Sequence, residues 1–231
     1  MAKANKNNTL TVRLDDLMTF EPLTETQHKV FDAFDDEENL VLAGSAGTGK
    51  TFLALYLALE QVLDPETQYN QIVIIRSMVP TRDMGFLPGT KAEKEEAFTT
   101  PYKRICDELF GDKSSYNKMI TSNQIQFEST SFIRGTTYED SIIIVDEMQN
   151  LTFHELDSVI TRVGRGSRII FCGDYYQSDF KYQDEKEGIF KFLRILENMK
   201  HFSVINFTWK DIVRSGIVRD YIMTKEMLDI S

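Results

Sequence analysis

Short, wholly apolar runs recur along the chain and alternate with longer segments of helical character. A strand with one solvated face alternates apolar and polar side chains, so runs of four or five apolar residues indicate strands covered on both faces. Strands that alternate with helices are typical of βαβ units. The pattern therefore predicts an α/β fold, in which helices cover both faces of a mainly parallel sheet. The predicted strands are 40–43, 72–75, 142–145, 169–172 and 204–207, and the predicted helices are 51–63, 101–110, 153–163 and 187–199.

Three segments depart from this rhythm. Residues 9–14 alternate apolar and polar side chains, which predicts an edge strand in an N-terminal extension, residues 1–20, ahead of a single domain, residues 21–231. Residues 77–100 contain two prolines, two glycines and a charge run, and predict a long loop with a helical patch. Loops of this length within a compact domain are usually functional or disordered. Residues 124–134 predict two short strands joined by a Ser/Thr turn.

The strongest chemical signal is GSAGTGKT, a complete GxxxxGK[ST] phosphate loop between a predicted strand and a predicted helix. Glycines let backbone N–H groups point at the phosphates, and the helix N-terminus adds positive potential. Lys50 is expected to reach the β- and γ-phosphates, and the Thr51 hydroxyl is expected to ligate Mg²⁺. The alternative, a glycine-rich turn that matches by chance, does not explain the flanking elements. The candidate nucleotide-binding residues here are Gly44, Ser45, Ala46, Gly47, Thr48, Gly49, Lys50 and Thr51.

Two further motifs follow predicted buried strands. Asp146 and Glu147 end the run 142–145, where an aspartate can hold Mg²⁺ through water and a glutamate can polarise an attacking water. Gln177, in GDYYQ, can contact the γ-phosphate or that water. Each taken alone fits an ordinary solvated strand end. Ligands of open α/β sheets bind outside the carboxyl ends of the strands, so all three motifs are expected at one edge.

Gln27 precedes the phosphate loop, and its amide offers a donor and an acceptor that suit the adenine edge. The alternative is an ordinary polar residue on an N-terminal helix.

The net charge is −10, from 26 basic and 36 acidic residues, and argues against strong nonspecific nucleic-acid affinity without excluding a local basic channel. The cysteines lack metal-ligand spacing and fit a reducing compartment. No apolar run approaches the ~20 residues of a membrane span, so a cytoplasmic protein is expected.

Seven segments between residues 23 and 222 together resemble the PhoH-like ATPases: LTETQ, GSAGTGKT, RSMVPTRDMGFLPGTKAEKE, FIRGTT, IIIVDEMQN, LTFHELDSVITRVGRGSRIIFCGDYYQSD and FTWKDIVRSGIVRDYI. The resemblance implies a RecA-like core related to the first motor domain of superfamily 1 helicases. It also implies ATP binding and hydrolysis, with RNA or single-stranded nucleic acid as a partner. Ser45 stands where the family often has proline, and Met148 where alanine is usual, but neither side chain is needed to contact phosphate. The resemblance places Lys50 and Thr51 in Walker A, Asp146 and Glu147 in Walker B, Gln177 as the sensor and Gln27 as the adenine-reading glutamine.

Helicase-type motors complete their ATP site with arginines from a second core, for which these 231 residues leave no room. We therefore expect a head-to-tail homo-oligomer in which a neighbouring subunit supplies the arginine, with a ring of six by analogy. The candidate catalytic arginines are Arg162, Arg165 and Arg214, each of which has the alternative of a surface or salt-bridged role.

Nucleic-acid contacts are expected from residues 76–86 and 134–137. Arg82 can bind phosphate and Phe86 can stack on a base; alternatively, Phe86 and Leu87 pack a subunit interface.

The favoured function is Mg²⁺-dependent ATP hydrolysis coupled to single-stranded RNA or DNA. The competing function is an ATP-gated protein-binding module with slow hydrolysis and no nucleic-acid substrate. A small-molecule kinase is disfavoured, because a kinase does not need the water-activating Glu147.

Overall fold

The computed structural model describes residues 12–78, 91–133, 135–174 and 183–228. Within these ranges a six-stranded sheet has the order β3-β2-β4-β5-β1-β6, and every neighbouring pair is parallel. The structure thus confirms the predicted α/β fold. The strands are β1 (Asn39–Gly44), β2 (Gln71–Arg76), β3 (Ile125–Ser129), β4 (Ser141–Val145), β5 (Arg168–Gly173) and β6 (Phe202–Phe207).

Helices pack on both faces of the sheet, and successive strand residues contribute to opposite cores. Leu40 and Leu42 of β1 join one core with residues of α2, whereas Val41 and Ala43 join the other with residues of α5 and α6. This two-sided burial explains why the central strands are apolar at every position. The helices are α1 (Glu25–Asp35), α2 (Lys50–Leu63), α3 (Lys91–Phe110), α4 (Ser115–Thr121), α5 (Phe153–Ile160), α6 (Gln183–Glu197) and α7 (Gly216–Met227).

Local chemistry sets several helix boundaries. The Thr24 hydroxyl accepts from the backbone N–H of Gln27 and begins α1, and a capping box between Thr152 and Glu155 begins α5. Helix α2 begins after Gly49, which has a φ of 85°. Helix α1 packs against α2, the helix that the residues after β1 enter.

Two predicted elements are wrong in the described residues. Within residues 124–133 there is one strand, β3 (Ile125–Ser129), because the chain turns after Ser129 and the N–H of Phe132 donates to the Ser129 carbonyl. The predicted strand 9–14 fails at its described end, since Leu14 begins a short 3₁₀ helix, Leu14–Asp16. Its first three residues lie outside the described residues. The division between residues 20 and 21 stays a prediction.

The sheet order positions the functional motifs. Strands β4, β5 and β1 are adjacent and parallel, so their carboxyl ends form one continuous edge. The phosphate loop follows β1, Asp146 follows β4 and Asp174 follows β5. Segments far apart in sequence therefore meet at the centre of the sheet, which is the usual ligand position in open α/β folds. Among the described residues, no helix is both long and apolar enough to cross a bilayer.

Candidate nucleotide site

The phosphate loop adopts a backbone that only glycine tolerates at its entry. Gly44 has a φ of 118°, and a β-carbon there would lie 1.9 Å from the carbonyl oxygen of Phe207. Gly47 and Gly49 also have positive φ values, 76° and 85°. Glycine accepts these conformations without steric cost, which leaves the loop free to turn its N–H groups inward. The motif and its conformation agree.

Lys50 rests on the loop that it follows. Its Nζ donates to the carbonyl oxygens of Gly44 and Ser45, each at 2.7 Å, and to Oγ1 of Thr48 at 3.3 Å. Burial lowers the pKa of Lys50, and the nearby negative charge of Asp174 opposes that shift. All three hydrogen-bond acceptors are neutral groups, so these contacts leave the positive charge of the ammonium uncompensated.

Asp146 and the phosphate loop are in direct contact. The Thr51 hydroxyl donates to Oδ1 of Asp146 at 2.8 Å, and Asp146 is only 3% exposed. Burial, followed by the negative charge of Glu147, raises the pKa of Asp146, while the hydrogen bonds from Thr51 and Tyr102 lower it. Magnesium prefers oxygen ligands and takes one or two carboxylates together with phosphate oxygens and waters. The adjacent hydroxyl and carboxylate oxygens fit that donor set.

Glu147 is held in an unusual backbone conformation. Its φ of 53° and ψ of 45° place a non-glycine residue in the left-handed region, at a cost of about 1–2 kcal/mol. Its Oε2 accepts from Nε2 of Gln149 at 2.6 Å, and Oε1 of Gln149 accepts from the N–H of Asp174 at 3.1 Å. Gln149 thus links the ends of β4 and β5 and orients the carboxylate of Glu147. Left-handed backbone of this kind concentrates at functional sites.

Gln27 is buried at the rim of the same cavity. Its Oε1 accepts from the N–H of Leu23 at 2.7 Å, which fixes the orientation of the amide. Its Nε2 lies 3.9 Å from the position a β-carbon would occupy at Gly49. Phe20 and Phe52 line this end of the cavity, which has a volume of about 910 Å³. The amide and the two aromatic rings therefore line one cavity together with the phosphate loop, and such a mixed lining suits a nucleotide base.

The three candidate arginines separate into two groups. Arg214 lies against its own phosphate loop, because a β-carbon at Gly47 would be 3.0 Å from its Cγ, and the N–H of Val213 donates to the Gly47 carbonyl. The prediction that Arg214 serves a neighbouring site is therefore wrong in its geometry. Arg162 and Arg165 precede β5, and their carbonyls accept from residues that precede β4, so both lie at the amino edge of the sheet, opposite the cavity.

Several predicted residues lie outside the described part of the chain. They are Gln177, Arg82, Phe86, Leu87 and Arg134. Their roles stay predictions.

Sequence reasoning missed two residues of the site, Gln149 and Tyr102, and expected a third, Arg76, to contact nucleic acid rather than to line this cavity. Gln149 orients Glu147, Tyr102 donates to Oδ2 of Asp146 at 2.8 Å, and Arg76 lines the cavity at the end of β2. Gln149 was readable from its position in the run DEMQN. Tyr102 carried no such signal, because its contact depends on how α3 packs against the sheet.

The comparisons with known proteins agree with this geometry. The family model described as PhoH-like protein matches residues 19–226. The chain belongs to the PhoH-like family. Protein PhoH2 of Bacillus subtilis is 40% identical to it over 154 residues, which cover 65% of this chain and 35% of that protein. A PhoH-like protein of Mycobacterium leprae is 32% identical over 216 residues, which cover 93% of this chain and 60% of that protein. The chain thus spans less than two thirds of the length of these relatives.

Solved structures confirm the fold of this PhoH-like chain. The large terminase of a thermophilic bacteriophage, in complex with ATP-gamma-S, matches with a TM-score of 0.54 at 15% identity, over 89% of this chain and 49% of the terminase. The same terminase in complex with ADP gives a TM-score of 0.53. The PhoH-like chain therefore has the expected RecA-like P-loop fold, and at this identity the likeness extends to the fold alone.

Proposed function

We propose that this PhoH-like chain binds ATP with Mg²⁺ and hydrolyses it. One observation carries the proposal: the Thr51 hydroxyl contacts Asp146 at 2.8 Å in the cavity that Lys50 and Glu147 also line. A phosphate loop, a metal-ligating pair and a carboxylate suited to activate water are thereby brought together. Gln27, beside Phe20 and Phe52, supports adenine as the base.

Each residue has a distinct task in this proposal. Lys50 would exchange its contacts with the loop carbonyls for the β- and γ-phosphates. Thr51 and Asp146 would hold Mg²⁺, which neutralises charge on the phosphate oxygens. Glu147, oriented by Gln149, would accept a proton from the water that attacks the γ-phosphorus, as the bond to the ADP oxygen breaks and phosphate leaves.

Glu147→Gln tests the proposal directly. The amide cannot take the proton, so phosphate release is expected to fall about 100-fold or more, while ATP affinity measured by calorimetry stays within about threefold. Gln68→Glu is the control, because it exchanges the same two residue types at the amino edge of the sheet, away from the cavity. Nε2 of Gln68 donates to the Gly166 carbonyl there. Turnover that survives in Glu147→Gln would remove Glu147 as the base. A wild-type protein that binds no ATP would overturn the proposed function itself.

Coupling to single-stranded RNA or DNA is the further part of the proposal. It rests on the resemblance of the segments FIRGTT and VPTR, which come after β3 and β2 in the sequence, to motifs of the PhoH-like family. Turnover should rise several-fold with single-stranded RNA or DNA of about 20 nucleotides and should not rise with a polyanion such as heparin. An ATPase unaffected by any nucleic acid would favour the ATP-gated protein-binding module.

Head-to-tail self-association is also part of the proposal. Arg162 and Arg165 lie at the sheet edge opposite the cavity, which is where an arginine that serves a neighbour must lie in such an assembly. Turnover per subunit should then rise with protein concentration and reach a plateau. A rate that does not depend on concentration, measured on a demonstrated monomer, would contradict this arrangement.

A further inference from the structure

A second hydrogen bond reaches Asp146 from the side of α3. The Tyr102 hydroxyl donates to Oδ2 of Asp146 at 2.8 Å, and the positively charged Arg76 at the end of β2 is close enough to interact electrostatically with both groups. Thr51 donates to the other oxygen, Oδ1, at the same distance. The two oxygens of Asp146 therefore have different partners, one on the nucleotide side and one on the side of α3.

The direction of this hydrogen bond follows from the chemistry of the groups. A carboxylate oxygen accepts and a phenol has one proton to donate, so Tyr102 is the donor to Asp146. Burial, followed by the negative charge of Asp146, raises the pKa of Tyr102 well above its ordinary value, so the hydroxyl keeps that proton. With a donor on each oxygen, the Asp146 side chain is held in a single orientation.

Tyr102 is also firmly placed. Its side chain is 1% exposed and packs against Phe127 of β3, with ring centroids 6.0 Å apart. Arg76 is held in turn over the ring of Phe98, with its guanidinium carbon 5.8 Å from the centroid. These aromatic contacts fix the positions of Tyr102 and Arg76, not that of Asp146 itself. The arrangement resembles the outer hydrogen bonds that orient metal ligands in proteins.

We propose that Tyr102 is a positioning residue that holds the Asp146 carboxylate so that Oδ1 and the Thr51 hydroxyl face a magnesium ion bound with the nucleotide. This inference rests on the proposed function. It adds a residue from α3, outside every phosphate-loop motif, to the determinants of magnesium affinity. Without the Tyr102 hydroxyl, Oδ2 loses its buried donor and the carboxylate is free to rotate away from Thr51.

Tyr102→Phe tests the proposal through magnesium dependence rather than through activity. The measurement is the affinity for a fluorescent ATP analogue, first in EDTA and then across a magnesium titration. We expect the affinity in EDTA to stay within about twofold of wild type, and the magnesium concentration at half-maximal effect to rise about 10–100-fold, the usual loss when an outer partner of a metal ligand is removed. Arg76→Met removes a positive charge beside Tyr102 and Asp146 and should shift the titration in the same direction, whereas Arg76→Lys keeps the charge and should shift it less.

Tyr116→Phe is the matched control. Tyr116 is an equally buried tyrosine of α4 that lines a separate groove at the β3 edge, so its magnesium titration should match wild type. If Tyr102→Phe fails to fold, Arg76→Met tests the electrostatic surroundings of Tyr102 and Asp146 without removing the buried ring. An unchanged magnesium titration in the folded variants would overturn the inference. A wild-type protein that does not bind the analogue would instead overturn the proposed function.

Discussion

Arg214 lies against Gly47 of its own phosphate loop, at a distance that leaves little room for a side chain on the loop residue. This contact assigns Arg214 to the cavity of its own chain, whereas Arg162 and Arg165 lie at the opposite edge of the sheet. The two positions differ in a way that mixing experiments can measure.

Mixed variants should distinguish an arginine that acts within its own chain from one that serves a neighbour. Lys50→Ala inactivates its own site but still offers its arginines, so mixing it with a double variant, Arg162→Ala and Arg165→Ala, should restore ATP hydrolysis to about a quarter of wild type or more. Mixing Lys50→Ala with Arg214→Ala should restore nothing, because both defects lie in the same type of site. Phosphate release from equimolar mixtures is the measurement. If ATP hydrolysis recovers in the mixture with Arg214→Ala but not in the mixture with the double variant, Arg214 would be the arginine that serves a neighbour.

Asp146→Asn should stabilise the protein in the absence of magnesium. Burial, followed by Glu147, raises the pKa of Asp146, so the folded state binds the proton more tightly than the unfolded chain does. The stability that this carboxyl contributes is therefore present below its ordinary pKa of 3.8 and is lost as the pH rises through the raised value. The asparagine avoids that loss and can still bond Thr51 and Tyr102.

Urea unfolding in EDTA measures this effect. At pH 7.5 the free energy of unfolding of Asp146→Asn should exceed that of wild type by about 1 kcal/mol, and the difference should shrink as the pH approaches 4. The same variant should lose the magnesium dependence of nucleotide binding. A variant less stable than wild type at pH 7.5 would contradict the prediction.

Gly44→Ala should unfold the domain or destabilise it by more than about 3 kcal/mol, because the added methyl group meets the Phe207 carbonyl of β6 as well as an unfavourable φ. Gly111→Ala is the matched comparison. Gly111 also has a positive φ, 59°, but nothing lies within 4 Å of the added carbon, so only the conformational cost of about 1–2 kcal/mol is expected. Thermal unfolding of both variants separates the steric clash with Phe207 from the backbone strain of a positive φ. Equal losses of stability in the two variants would show that the clash with β6 is easily relieved.

Gln149→Leu should lower kcat while leaving the KM for ATP almost unchanged. The leucine keeps the volume but cannot donate to Glu147 or accept from the N–H of Asp174, so the base loses its orientation. A fall in kcat of about 10–100-fold is expected from a misplaced general base. Steady-state phosphate release with ATP titration is the measurement, and Asn150→Leu, the next residue along the chain, is the control. A change confined to KM would assign Gln149 to nucleotide binding instead.

The sheet and the phosphate-facing residues were predictable because their signals are local. Strands buried on both faces are apolar throughout, and a glycine-rich loop between a strand and a helix has few other uses. Thr51 and Asp146 could be paired in advance, since parallel strands bring their carboxyl ends to one edge. The residues that follow directly from strand order were therefore within reach of sequence reasoning.

The remaining features depend on packing that the sequence pattern does not express. Tyr102 acts through the placement of α3, and a buried tyrosine on a helix is most often an ordinary core residue. Arg214 was assigned to a neighbour because the sequence shows an arginine late in the chain but not the hydrogen bond from Val213 to Gly47 that brings it back to the loop. The predicted strand 9–14 failed at Leu14, where alternation was too short to outweigh the local 3₁₀ turn.

The contacts of Lys50 with the Gly44 and Ser45 carbonyls bear on how the cavity is emptied and refilled. An arriving phosphate competes with two uncharged oxygens, which release an ammonium far more readily than a carboxylate would. In the proposed hydrolysis cycle, the same oxygens would receive the ammonium again after the products leave. The loop carbonyls thus give Lys50 partners within the loop itself whenever no phosphate is bound.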